Sequence, residues 1–395
     1  MGGHRADAAR IGGTSMRLTA EWLTHPASQV VCKALTDGGF QAYFVGGCVR
    51  NALLGQPVSD LDISTDARPE QTLNRAKQAG LKAIPTGIDH GTITVVADGI
   101  PFEITTFRRD VDTDGRHAVV DFADTMDEDA RRRDFTMNAL YAAPNGEVFD
   151  PVDGLPDLRA GHLRFIGNAD QRIREDYLRI LRFFRFSAWY GDPALGIDAD
   201  GLAACAENLD GLAQLSAERV GSEMRKLLSA ADPAPAMAAM AASGVLYAVL
   251  PGAQAQSLAI LVHLEGDRSP DPIRRLAVIG GEDVSERLRL SNTDKRRLEA
   301  IHAGISMDLG ELGYRHKDTA EDSYLVRQAS MGQAIDPDEL AIVHHACEQS
   351  FPVKAADLMP EFTGAALGER LRKLEADWIA SGFTLSRDAL ISSAG

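Results

Sequence analysis

The chain has 395 residues, 45% of them apolar and 25% charged, with a formal net charge of −16. That balance excludes a mainly disordered chain, a collagen and a disulfide-stapled mini-protein. It also excludes a general nucleic-acid coat protein, unless positive charge is concentrated locally. The length predicts two to four domains at roughly 100–200 residues each. No apolar run reaches the about 18 residues of a membrane span, so no membrane partner is expected. Cys32, Cys48, Cys205 and Cys347 are scattered. They fit a reducing cytoplasm better than a metal knuckle or a disulfide framework.

Residues 1–15 mix Gly, Ala and Arg without the apolar core of a secretory signal. They read as a disordered extension, with Met16 an alternative start. From there the pattern predicts a helix over Ala20–Gly38, a strand over Gln41–Val45 and a helix over Cys48–Leu54 stopped by Gly55 and Pro57. A short strand Leu61–Ser64 and a helix Pro69–Ala79 follow. Thr92–Ala97 and Phe102–Phe107 are β-rich runs separated by Asp98-Gly99, a hairpin signal. Arg108–Asp121 is charged and reads as a mobile loop. Asp127–Tyr141 reads as a helix and Asn145-Gly146 as a turn. Beyond residue 170 the spacing turns helical, with amphipathic runs at Ile173–Trp189 and Leu215–Leu228. Further helices are expected at 271–289, 293–303, 338–349 and 364–380.

Tyr43-Phe-Val-Gly46-Gly47-Cys-Val-Arg50 is a strand running through two glycines into a helix. Glycine lets the backbone approach an anion, and a helix N-terminus offers unpaired N–H groups. Arg50, one turn in, can reach the same anion. A bare Gly-Gly turn is the plain alternative. Asp60 and Asp62 add weight, because residues i and i+2 on a strand face one side about 6.5–7 Å apart. Two such carboxylates repel unless a cation sits between them. Mg²⁺ takes one or two carboxylates plus substrate phosphates. A phosphate cradle beside a D-x-D pair therefore points to phosphoryl or nucleotidyl transfer. Glu103, a polar residue within a strand-like run, is the candidate third carboxylate, supporting an attacking hydroxyl.

Arg131-Arg132-Arg133-Asp134 offers forked donors for phosphates, with Asp134 placed to orient an arginine or cap a turn. Between residues 159 and 185 there are seven arginines against three acids, a local charge of +4. Arg182 and Arg185 lie among Leu181, Phe183, Phe184 and Phe186, which suggests a cleft rather than a solvated face. Asp176 and Arg179 are three apart and so neighbours on a helix face. An acceptor beside a donor matches the edge that cytosine and adenine share and that guanine and uracil reverse, so the pair can select bases with no nucleic-acid template. His302, His316, His344 and His345 lack metal-ligand spacing and read as solvated or core residues.

Taken together, these stretches resemble the class II tRNA nucleotidyltransferases, the CCA-adding enzyme and poly(A) polymerase family of the polymerase-β-like superfamily. The motifs stand in the family's order across about 145 residues. The resemblance implies an α+β fold: a nucleotidyltransferase head of a small mixed sheet with helices, followed by an all-α neck, body and tail. In domains, 16–150 would be the head, 151–230 a helical neck that recognises the base, and 231–395 a body and tail that bind tRNA. It implies that Asp60 and Asp62 bind Mg²⁺ and catalyse, with Glu103 the third carboxylate that the strand pattern offers. Gly46, Gly47, Arg50, Arg133, Arg182 and Arg185 would hold the nucleotide, and Asp176 and Arg179 would read its base. Arg108–Asp121 corresponds to a loop linked in the family to switching from CTP to ATP.

The implied activity is template-independent addition of CCA to tRNA lacking part or all of its 3′ CCA, from CTP and ATP, in the cytoplasm. No protein partner is implied. Poly(A) polymerase and partial CC-only or A-only addition are the alternatives within the family, and a silent RNA-binding protein the alternative outside it. The region Thr86–Ile93 lacks the Gly-Arg-Arg-Phe element of bacterial poly(A) polymerases, which favours CCA addition. Asn51 stands where the family usually has Asp.

Overall fold

A computed structural model describes residues 10–11, 14–109 and 121–392. The chain divides into two compact units: Met1–Leu215 with Ser243–Val245, and Ser216–Ala242 with Leu246–Gly395. Within the extension, Arg10–Ile11 pairs antiparallel with Thr14–Ser15, while residues 1–9 and 12–13 lie outside the described residues.

The first unit is built on a seven-stranded mixed sheet. Its strands are β1 (Tyr43–Val45), β2 (Leu61–Thr65), β3 (Lys82–Gly87), β4 (Thr92–Ala97), β5 (Ile100–Thr106), β6 (Tyr141–Ala142) and β7 (Val148–Phe149). They lie in the order β7-β6-β1-β2-β5-β4-β3. The β2–β5 pair is parallel and sets Asp62 opposite Glu103; the other pairs are antiparallel. Asp98 and Gly99 both take positive φ, 51° and 76°, so the β4–β5 connection is the tight hairpin the sequence predicts. A core of Val45, Phe107, Met126, Ala130, Tyr141 and Ile166 closes one side of the sheet.

The helices of this unit include α1 (Pro26–Thr36), α2 (Gly47–Leu53), α3 (Pro69–Gln78), α4 (Met126–Arg131), α5 (Gly154–Ala160), α6 (Ala169–Glu175) and α7 (Leu178–Tyr190). The α+β expectation holds, with four corrections to individual elements. The helix expected over Ala20–Gly38 is two pieces, Glu21–Thr24 and α1, because Pro26 forces His25 to an extended ψ of 135°. The one expected over Asp127–Tyr141 stops at Arg131 and is followed by a 3₁₀ turn and β6. Its interior is broken by Asp134, whose carboxylate accepts from the Phe135 N–H at 2.8 Å and from the Asn138 amide at 3.0 Å.

The helix expected over Ile173–Trp189 breaks at Asp176, which is extended at φ −154°. Its carboxylate takes the Leu178 N–H at 3.1 Å and so starts α7 afresh. The helix expected over 271–289 splits at Gly280-Gly281 into Pro272–Ile279 and Val284–Arg287. At the loop expected over Arg108–Asp121, Arg108–Arg109 pairs with Asp121–Phe122, and residues 110–120 lie outside the described residues.

The second unit is helical among its described residues. Its interior carries an ionic cluster in which Glu265 accepts from both Arg274 and Arg275. Arg275, 1% exposed, also donates to the carbonyls of Leu228, Ala230 and Ala231. Buried charges persist where partners satisfy them this fully.

Candidate active site

The site grows from the ladder between β2 and β5. Asp62 and Glu103 are register partners on adjacent parallel strands, so the backbone holds their carboxylates side by side. Asp60 precedes the strand by one residue, a correction to the expected i, i+2 pair within it, and accepts from the Ser59 hydroxyl at 2.8 Å. All three carboxylates line one cleft of about 500 Å³, together with Trp22, Thr94, Ile100 and Pro101. Burial, the neighbouring Glu103 charge and Asp60 push the Asp62 carboxyl up to about 6, against a lowering pull from Arg133. Among the described residues no three carboxylate, histidine or cysteine side chains converge as a ready cage. The chemistry of the set, two or three oxygen donors repelling one another in a partly buried cleft, still fits a divalent cation that takes its remaining ligands from phosphate and water.

The glycine turn lies at the end of β1. Gly46 adopts φ 71° and ψ −122°, a conformation that disfavours any side chain. Two guanidinium groups flank the turn. A Cβ on Gly46 would stand 3.6 Å from Arg133 Nη1, and one on Gly47 would stand 3.8 Å from Arg50 Nη2.

Arg133 is fixed by a buried hub. Its Nε and Nη2 donate to Asp129 Oδ2 at 3.3 and 2.9 Å, and Nη2 donates to Ser64 Oγ at 3.2 Å. Ser64 is two residues from Asp62 on β2, so it shares that strand face. Asp129, 0% exposed, also accepts from Arg132, from the Tyr141 hydroxyl at 2.8 Å and from the Arg108 N–H at 3.3 Å. Burial alone would raise its pKa, but the two arginines and Tyr141 outweigh that and hold it far below the carboxylate range. Asp129 therefore ties the start of the 108–122 segment to the arginine at the turn. Sequence reasoning missed it, because Asp127-Glu128-Asp129 looks like the solvated acidic first turn of a helix.

The arginines of α7 are likewise placed by named partners. Arg182 donates through Nε to Asp134 Oδ2 at 2.7 Å, the orienting role foreseen for that carboxylate. Arg179 donates to Glu175 Oε2 at 2.7 Å and to the carbonyls of Arg172 and Arg132 at 2.9 Å each. Asp176 and Arg179 are brought together at the α6–α7 corner instead of on one helix face, with the Arg179 N–H on the Asp176 carbonyl at 3.0 Å. The guanidinium carbons of Arg50, Arg182 and Arg185 lie 5.1, 5.1 and 4.2 Å from the centroid of Phe186. One buried ring thus gathers three cations.

Comparison with known proteins agrees with this geometry. A model described as the Poly A polymerase head domain matches residues 42–164. One described as the probable RNA and SrmB- binding site of polymerase A matches residues 195–256. The chain is 37% identical over 392 residues to the CCA-adding enzyme of Lacticaseibacillus paracasei, covering 92% of this chain and 94% of that protein. It is 33% identical to the mitochondrial CCA tRNA nucleotidyltransferase 1 of Mus musculus, covering 88% and 85%. Against the Homo sapiens counterpart identity rises to 46%, but over 46% of this chain and 42% of that protein, less than half its length. The crystal structure of the Bacillus stearothermophilus CCA-adding enzyme in complex with CTP superposes with a TM-score of 0.69 at 28% identity, covering 90% of this chain and 94% of that one. With a third or more of its residues shared over most of the length of two of these relatives, the chain belongs to the CCA-adding tRNA nucleotidyltransferase family.

Proposed function

We propose that this chain completes the 3′ end of tRNA by adding C, C and A from CTP and ATP without a template, releasing pyrophosphate. The likeness over nearly the whole chain to a CCA-adding enzyme carries the reading, and the site supplies the parts. The RNA 3′-oxygen attacks the α-phosphorus; that P–O bond forms, the bond to the β-phosphate bridge breaks, and the hydroxyl proton leaves to solvent. Asp60 and Asp62 would hold Mg²⁺, which when bound activates the hydroxyl and stabilises the departing pyrophosphate. Glu103 supports the attacking hydroxyl from the neighbouring strand. The Gly46–Gly47 turn with Arg50 and Arg133 takes the triphosphate, and Arg182 and Arg185 extend the positive wall. Asp176 and Arg179 present acceptor and donor to the base, with Arg179 fixed in advance by Glu175 and two carbonyls.

The proposed domain roles are a catalytic head over 16–150, a base-reading neck over 151–230 and a tRNA-binding body and tail over 231–395. Among the described residues no helix is long and apolar enough to cross a membrane, and the four cysteines are unpaired. The thiols fit a reducing compartment, for which we propose the cytoplasm.

The test is a tRNA transcript lacking CCA, incubated with Mg²⁺ and CTP, ATP or both, and sized on a sequencing gel. Two additions with CTP and a third only with ATP present are expected. A long ladder with ATP alone would overturn the proposal in favour of poly(A) addition, the reading that the matched head-domain description favours second.

A further inference from the structure

Arg50 is 6% exposed, yet among the described residues its hydrogen-bond acceptors are all uncharged. Nη1 donates to Asn138 Oδ1. Nε and Nη2 donate to Asn51 Oδ1 at 3.1 and 2.9 Å, and Nη2 also donates to the Tyr190 hydroxyl at 2.8 Å. The same Tyr190 lays its ring 4.1 Å from the guanidinium carbon, and its hydroxyl donates to Asn51 Oδ1 at 3.3 Å. Phe186 packs beside Tyr190 at 5.4 Å between centroids and faces the same cation at 5.1 Å.

A buried cation is costly unless a counter-charge arrives. Here dipoles and ring faces make the direct contacts, Asp134 attracts the cation only through the intervening Asn138 amide, and Nη2 is turned toward Gly47. An anion seated at the glycine turn would supply the missing charge.

We propose that Tyr190 is a positioning residue, whose ring and hydroxyl together set the Arg50 guanidinium for the triphosphate shared by CTP and ATP. The proposal rests on the nucleotidyl-transfer reading above. Tyr190 is separated by 140 residues from the arginine it holds. It joins the last turn of α7 to the cradle at the start of α2, and it acts on the common part of both nucleotides rather than on the base.

The test compares wild type, Tyr190→Phe, which keeps the ring, and Tyr190→Leu, which removes both contacts. KM is measured for CTP, ATP and tRNA, and the affinity for inorganic tripolyphosphate is measured by thermal shift, which also reports folding. Losing a hydrogen bond to a charged group and then a ring face predicts KM increases of roughly fivefold for Tyr190→Phe and thirtyfold for Tyr190→Leu. The increase should be equal for CTP and ATP, with KM for tRNA unchanged and tripolyphosphate affinity falling in the same order. If either variant lowers only kcat through lost active protein, with KM and tripolyphosphate affinity as in wild type, Tyr190 is merely structural and the proposal fails. A rise confined to one nucleotide overturns it as well. If wild type transfers no nucleotide, the functional reading falls, and the tripolyphosphate series still decides the role of Tyr190. Should Tyr190→Leu not fold, the Phe variant carries the test.

Discussion

Asp134 and Arg182, 48 residues apart, meet side on: Nη2 and Nε of the arginine lie 2.6 and 2.7 Å from one carboxylate oxygen. The other oxygen of Asp134 accepts from the Asn138 amide, whose carbonyl oxygen accepts from Arg50. One carboxylate thus orients two of the proposed nucleotide arginines, the first directly and the second through an amide.

That relationship sets a pH dependence of stability. Burial pushes the Asp134 carboxyl up, but Arg182, Asn138 and the Phe135 N–H outweigh it and hold it at about 2, against 3.8 unfolded. The folded state therefore binds fewer protons in that window, and the contribution is present above pH 4 and lost as pH falls toward 2. Asp134→Asn is expected to cost about 2 kcal/mol at neutral pH. The gap in Tm from wild type should shrink steadily below pH 4. A gap independent of pH would show that the loss is steric.

Asp62 carries the opposite sign. Its carboxyl is raised to about 6, first by burial and then by Glu103. The metal-free folded protein thus holds an extra proton between about pH 4 and 6, and its stability falls as pH rises through that window. Asp62→Asn is expected to stabilise chelator-treated protein at pH 8 by an amount of the order of 1–2 kcal/mol, read as a higher Tm. It should also abolish transfer with CTP and ATP alike. Mg²⁺ should raise the Tm of wild type and leave this variant unmoved. Retained transfer would sink the metal assignment.

Asp129 is the shared acceptor of Arg132, Arg133 and Tyr141. Removing the carboxylate leaves the part-buried Arg133 without its counter-ion, an effect of about 2–4 kcal/mol. Asp129→Asn, which keeps the shape and some acceptors, should lose less than Asp129→Ala. Chemical denaturation of both variants checks the order, and equal losses would contradict the hub.

Arg179 is held by Glu175 and two carbonyls before any base arrives. Arg179→Ala is expected to raise misincorporation of GTP and UTP about tenfold relative to CTP, while some transfer persists. Single-turnover assays with each nucleotide decide it. Complete exclusion of GTP and UTP would end the idea that the protein acts as template.

The parts of the site legible in the sequence are those whose chemistry is local. Gly46-Gly47, the spacing of Asp60 and Asp62, and the Asp98-Gly99 hairpin each constrain the backbone within a few residues. Glu103 was legible as a polar residue in a strand; its pairing with Asp62 depends on a parallel register that spacing does not encode. The helix through residues 173–189 was misread because the side chain of Asp176 competes for backbone N–H groups, which periodicity ignores. The strand Lys82–Gly87 was missed because it is an edge strand, mostly exposed, with Pro85 inside it. Tyr190 gave no signal, since an aromatic residue near the end of an amphipathic helix reads as packing.

The uncharged cage of Arg50 also governs how a nucleotide is captured. At a distance, a chain of net charge −16 repels a triphosphate. At contact, a buried guanidinium whose hydrogen-bond acceptors are all uncharged attracts it from a setting that dissolved ions reach poorly. Salt screens the first force over about 10 Å at 0.1 M and touches the second much less. Moderate ionic strength should therefore quicken nucleotide arrival, the reverse of its effect on a protein that gathers its anion with surface lysines.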